Sequence, residues 1–195
     1  MSFIQPTSSL YSILALFIKK KDGLLCLCID FCSLNYISKK NCYLLLLISD
    51  LLDSSCKARV YTKIDFCYAY HLVYIANGNK WKTAFRTCYR SFKWSVMLFS
   101  LTNASIAFYQ FINDLFSDLL DICVVIYLNI ILIYSNNMSK HHWHIKKVLK
   151  HLYKASLYTK AEKYKFHSEL VEYLGYILSP SSLTMSNDKV KIIQV

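Results

Sequence analysis

Histidines, cysteines and lysines are the reactive side chains that this sequence places in recognisable patterns. His141, His142, His144 and His151 fall within Ser139 to Ala155, a basic segment with helical periodicity. Histidines at i and i+3 share a helix face and can bind a metal there. No carboxylate accompanies these, so the pattern predicts a solvated basic helix. The cysteines (Cys26, Cys28, Cys32, Cys42, Cys56, Cys67, Cys88 and Cys123) show no paired C-x-x-C spacing, and no signal peptide puts them in an oxidising compartment. Free thiols are expected. Lys19-Lys20-Lys21-Asp22-Gly23 reads as a tight turn between strands, with Asp-Gly as the hairpin signal. Taken alone it is a solvated basic turn. Asn129 is the one polar side chain at the hinge between two β-branched and aliphatic runs, Val124 to Leu128 and Ile130 to Tyr134, and the whole reads as a buried hairpin.

The periodicity supplies elements to position these groups. Gln5 to Ile18 reads as an extended arm, Leu24 to Phe31 as a strand, and Asp50-Leu51-Leu52-Asp53 as a short amphipathic helix. Val60 to Ile75 is predicted as a strand with the start of a helix behind it. Phe108, Phe111, Ile112, Leu115 and Leu119 recur at helical spacing, so Ala107 to Leu120 is predicted as a helix with an apolar face. At 195 residues the chain can bury a sizeable core, yet with 55% hydrophobic residues it has only 3 Gly and 2 Pro, so the usual turn punctuation is nearly missing. The formal charge of +11 favours a polyanionic partner, nucleic acid before membrane, because Lys and Arg neutralise phosphates and release counterions. Two uncharged stretches, Met1 to Ile18 and Ile122 to Ser139, are not expected to span a membrane. The first contains Gln5, Pro6, Thr7, Ser8 and Ser9 and lacks a basic start, and the second is the hairpin. Leu44 to Ile48 and Ile122 to Ile133 are expected to promote aggregation.

Several stretches carry a resemblance in register through nearly the whole chain. They are Thr62-Lys63-Ile64-Asp65, Trp81-Lys82-Thr83-Ala84-Phe85-Arg86-Thr87, Val96 to Phe108, Val124 to Ser135, Leu157-Tyr158-Thr159-Lys160, Lys165-Phe166-His167 and Val171 to Ile177. In this order they resemble the reverse transcriptase domain of gypsy-type LTR-retrotransposon Pol polyproteins, whose hairpin reads Tyr-x-Asp-Asp. The resemblance covers about residues 5–195. It implies an α+β fold, a right-hand polymerase fragment with fingers and palm and no thumb. Residues 1–18 would be an extended arm, 19–62 and 76–100 the fingers, and 63–75 and 101–195 the palm. It makes Asp65 the first metal-binding carboxylate and puts Asn129 and Ile130 where the family has its aspartate pair. Lys20 and Lys21 would lie over the nucleotide's triphosphate, Cys26 stands at a phosphate-gripping arginine, Tyr70 at the aromatic that excludes a ribose 2′-hydroxyl, and Phe99 beside the nucleotide. The implied cofactor is Mg²⁺ and the implied partner an RNA/DNA primer-template. Two-metal nucleotidyl transfer needs clustered carboxylates, so a chain keeping Asp65 alone is expected to be inactive. Two readings of other classes stand beside it: a non-catalytic basic nucleic-acid-binding module, and a membrane-associated apolar protein.

The departures from the family wording run in one direction. Arg becomes Cys at Cys26, Cys32, Cys67 and Cys88, Pro becomes Leu or Ser at Leu44, Leu46, Leu98 and Ser105, Gly becomes Ser or Arg at Ser100 and Arg90, and Asp becomes Asn at Asn129. Each follows from one C-to-T change on one strand or the other, whereas Ile130 needs a further transversion. Such drift drains Gly, Pro and Arg, adds Cys and Leu, and raises the net charge by turning acids into amides. We predict that the coding DNA, aligned with intact copies of the same element, shows C-to-T and G-to-A changes far outnumbering all others. An even spectrum, or a strong excess of synonymous differences, would count against this origin.

Overall fold

The computed structural model describes residues 3–19, 23–43, 47–55, 58–66, 69–159, 161–180, 182–186 and 189–191. In chain order the strands are β1 (Ile4–Pro6), β2 (Ile13–Lys19), β3 (Leu25–Ile29), β4 (Val60–Asp65), β5 (Phe85–Arg86), β6 (Ser91–Trp94), β7 (Val124–Tyr127), β8 (Ile130–Ser135), β9 (Lys165–Ser168), β10 (Val171–Tyr173), β11 (Tyr176–Ser179) and β12 (Ser182–Met185). The helices are α1 (Cys32–Ile37), α2 (Ile48–Ser55), α3 (Ala104–Leu115) and α4 (Met138–Lys154), with 3-10 segments at Ala69–Leu72, Asn77–Thr83 and Ala161–Lys163. Sheets and helices are mixed and every strand pairing but β2–β5 is antiparallel, which is the expected α+β class.

Two compact units make up the chain. The first, Met1–Tyr43 with Tyr68–Phe108, is built on a five-stranded sheet in the order β1-β6-β5-β2-β3. Its core gathers Ile29, Phe31, Leu34, Phe85, Trp94 and Val96. β2 and β3 form the hairpin predicted on either side of the basic turn, and Gly23 lies at φ +83°, a conformation that glycine adopts without a Cβ penalty. Lys20 and Lys21 themselves lie outside the described residues, as do Leu44 to Leu46.

The second unit, Leu44–Cys67 with Tyr109–Val195, holds a four-stranded sheet β7-β8-β4-β9 and a three-stranded sheet β10-β11-β12. Its core gathers Leu51, Leu52, Tyr61, Val125, Leu132, Val171, Tyr173 and Leu178, so α2 buries the apolar side that its sequence predicted. β4 and β8 are interior strands with nearly every residue buried, which is why their sequences run apolar instead of alternating. The divisions between units fall after residues 43, 67 and 108. β4 is one unbroken strand, so residues 60–62 go with 63–65.

Some local expectations need correction. The helix expected from Ala107 begins at Ala104, and β4 is followed by a 3-10 turn at Ala69–Leu72. More consequentially, α4 is amphipathic, with His141, Ile145, Val148 and Leu152 buried, and not merely solvated. His141 is fully buried and bridges two strands. Its Nε2 lies 2.8 Å from the Thr62 hydroxyl on β4 and its Nδ1 2.8 Å from the Ser135 hydroxyl on β8. Ser135 Oγ also lies 2.7 Å from His144 Nδ1, and the His167 amide donates to Thr62 Oγ1. With neutral rings one proton arrangement satisfies every group: Thr62 donates to His141 Nε2, His141 Nδ1–H to Ser135, and Ser135 to His144. The positive pattern read in the sequence was a hydrogen-bonded histidine on a packed helix face. Periodicity alone does not distinguish that from a solvated one.

Burial also relocates the aggregation hazard. Val124 to Ile126 and Ile131 to Ile133 are buried, while Leu14, Leu16 and Ile18, alternate residues on one face of β2, are 66%, 52% and 55% exposed. Leu16→Thr is therefore expected to raise the soluble fraction on expression, whereas Leu132→Thr lowers it by unfolding the chain; equal solubility of the two would contradict this. Burial, together with the neighbouring His167, His144 and His142, pulls the His141 pKa from 6.5 down to about 4. The unfolded chain then takes up a proton below pH 6.5 that the folded chain refuses until about pH 4, so stability falls as pH drops through that window. Urea unfolding at pH 7.5 and pH 5 is expected to differ by on the order of 2 kcal/mol from this group, and His141→Ala is expected to remove most of that difference.

Candidate active site

Asp65 is the last residue of β4, and its position follows from the ladder with β8. The pairing runs from Val60 opposite Ser135 to Asp65 opposite Ile130. On the other side of β8 the hairpin closes with Tyr127 opposite Ile130, leaving Leu128 and Asn129 as the turn. Leu128 takes φ +51°, a left-handed conformation that leucine rarely adopts. The Asn129 carbonyl accepts a 2.9 Å hydrogen bond from the Phe66 amide, which ties the turn to the end of β4. The ladder thus brings Asp65, Asn129 and Ile130 together.

There Asp65 is engaged by side chains of the same fold. Asn129 Nδ2 donates to Asp65 Oδ1 at 2.8 Å, and Lys163 Nζ donates to Asp65 Oδ2 at 3.1 Å. Both carboxylate oxygens therefore have donors, one of them a full positive charge. A dication at Asp65 would face that ammonium and find a single carboxylate among these three positions. Ile130 has no ligand atom and packs with Tyr127 against the core of its unit. Among the described residues no group of three or more His, Cys, Asp or Glu could hold a metal ion. The donor set does not fit a two-metal centre.

Lysines crowd this end of the sheet. Lys63 and Lys165 are register partners on β4 and β9, and Lys63 Nζ donates to the Glu172 carbonyl at 3.0 Å. Burial, reinforced by Lys165 and Lys163, pulls the Lys63 pKa below its ordinary value despite Glu172 and Asp65. Sequence reasoning missed Lys163, since its approach to Asp65 arises from a segment 98 positions away in the chain. No local signal marked it.

The other predicted positions meet in the first unit. Cys26, Tyr70 and Phe99 line one cavity of about 630 Å³ together with Cys28, His71 and Trp94. Tyr70 meets Phe99 edge-on, with ring centroids 5.4 Å apart. Cys26, on β3 opposite Ile18, offers a half-buried thiol where the resemblance has a guanidinium.

Comparison with known proteins agrees with this architecture. Residues 18–178 match the family model described as reverse transcriptase (RNA-dependent DNA polymerase). Over 192 residues the chain is 33% identical to the transposon Tf2-3 polyprotein of Schizosaccharomyces pombe, and equally to the Tf2-7 polyprotein, covering 98% of this chain and 14% of each relative. It thus spans about one seventh of the length of those polyproteins. The fold is that of the foamy viral protease-reverse transcriptase, at a TM-score of 0.89 and 18% identity to a complex with double-stranded DNA, over 98% of this chain and 34% of that one. A complex of the same viral protein with an RNA/DNA hybrid gives a TM-score of 0.87 at 17% identity, over 98% of this chain and 26% of that one. Among the described residues no helix is long and apolar enough to cross a membrane. The family model, the transposon relatives and the shared fold all agree with the hairpin and strand wording read from the sequence: this chain belongs to the reverse transcriptase family, as a domain of the retrotransposon Pol type.

Proposed function

We propose that this reverse transcriptase domain keeps the family's shape and a basic surface for a nucleic-acid duplex but does not catalyse nucleotidyl transfer. The observation that carries this reading is the occupation of both Asp65 oxygens by Asn129 and Lys163, with Ile130 as the strand partner. Reverse transcriptases use divalent metal, and in this family Mg²⁺ is the ion expected; here the surviving carboxylate is neutralised from within the fold. The second unit corresponds in this reading to the palm, and the first to the fingers. Lys20, Lys21, Cys26, Tyr70 and Phe99 are the positions where the family handles its nucleotide. The foamy viral complexes with DNA and with RNA/DNA hybrid support a primer-template as the partner. The +11 charge is consistent with it.

The purified chain is expected to extend no primer with Mg²⁺ or Mn²⁺, assayed by labelled-nucleotide incorporation against a mock preparation. Template-dependent incorporation would overturn the reading. Asn129→Asp together with Ile130→Asp is expected to remain inactive, because Lys163 still neutralises Asp65 and Cys26 still lacks phosphate-gripping donors. Binding of a fluorescent primer-template is expected to persist in EDTA and to weaken steeply with salt. Loss of binding in EDTA would instead indicate a working metal centre.

A further inference from the structure

The cavity lined by Cys26, Cys28, Tyr70, His71, Trp94 and Phe99 has the volume of a small-molecule site, about 630 Å³. Its chemistry differs from that of a site for a polyanion. Leu24, Leu25, Leu27, Ile29 and Leu98 complete an apolar wall, and His71 is the one titratable nitrogen base among the described lining residues. The aromatic groups are arranged as surfaces. His71 stacks on Trp94 with centroids 5.7 Å apart and an interplanar angle of 21°. Tyr70 is braced edge-on against Phe99 and tilted against Phe108, 5.4 and 6.0 Å away by centroid. Phe99 is 76% exposed although it lines the cavity, so a flat ring laid on it would bury apolar area that the folded chain leaves in water. A thiol at Cys26 presents no donor fork to a phosphate.

We propose that this cavity binds an uncharged, planar aromatic small molecule against the Phe99 ring and discriminates against a nucleoside triphosphate. Apolar walls and π-faces gain from burying a neutral ring, while a triphosphate would lose hydration and meet no cationic partner among the described lining residues. The inference deepens the reading of Cys26, Tyr70 and Phe99 as the family's nucleotide positions. Its failure is separable from that of the reading above, because primer-template binding is measured independently of this ligand.

The test uses the full chain and 7-methoxycoumarin, an uncharged fluorescent ring system. Saturable binding is expected, with alkylation of Cys26 and Cys28 by iodoacetamide slowed at saturation and that of the exposed Cys88 unchanged, read by peptide mass spectrometry. Phe99→Ala is expected to weaken binding on the order of tenfold, and Ser100→Trp, which fills the cavity, to abolish it. Excess dTTP is expected to leave the coumarin bound. Absence of saturable binding by a chain with native circular dichroism would overturn the proposal, as would equal protection of Cys88 or displacement by dTTP. Phe99 is 76% exposed, so its truncation is expected to leave the fold intact, and that variant decides the matter if Ser100→Trp does not fold.

Discussion

The antiparallel register of β4 against β8 is the constraint on which this structure depends. It sets Asp65 opposite Ile130, seats Asn129 within hydrogen-bonding reach of the aspartate, and lines up Thr62 and Ser135 for His141. A slip of one residue would exchange the two buried faces of β8 and force each side chain into a space shaped for another. The ladder is therefore held by core packing along its whole length, to which neither Asp65 nor Asn129 contributes an apolar side chain. Chemistry at that end can be lost while the geometry stays.

The energetic direction of the loss is favourable to folding. A metal centre without its ion is a cluster of like charges in a partly buried place, and such sites are kept at a cost to stability. In the proposed reading an amide that donates to Asp65 and an isoleucine packed against the core stand where the family has its acid pair, so a hydrogen bond and apolar contact take the place of like charges. Lys163 completes the neutralisation.

Much of this was legible in the sequence. The apolar runs around Asn129, the strands on either side of the Asp-Gly signal and the amphipathic helices were read from local pattern, and they formed within a few residues of expectation. Asp65, Asn129 and Ile130 were found because they sit in motif wording. Lys163 and the bridge from His141 to Thr62 and Ser135 were not legible, because each joins segments distant in the chain and neither residue type is diagnostic alone. The exposed apolar face of β2 was missed for a related reason. Hydrophobicity shows which segments seek burial, and only the assembled sheet shows which of them finds it.

The turn at Leu128 and Asn129 has a further bearing on the order in which the molecule assembles. A leucine at φ +51° is a poor turn former, so β7 and β8 gain little from closing on each other first. β8 is held on its other side by β4, whose paired residues lie 65 to 75 positions earlier in the chain. The hairpin is thus a product of long-range closure and not a seed for it, and it belongs to the slow, high-contact-order part of folding. A nascent chain must carry its β4 strand unpaired until β8 has been synthesised.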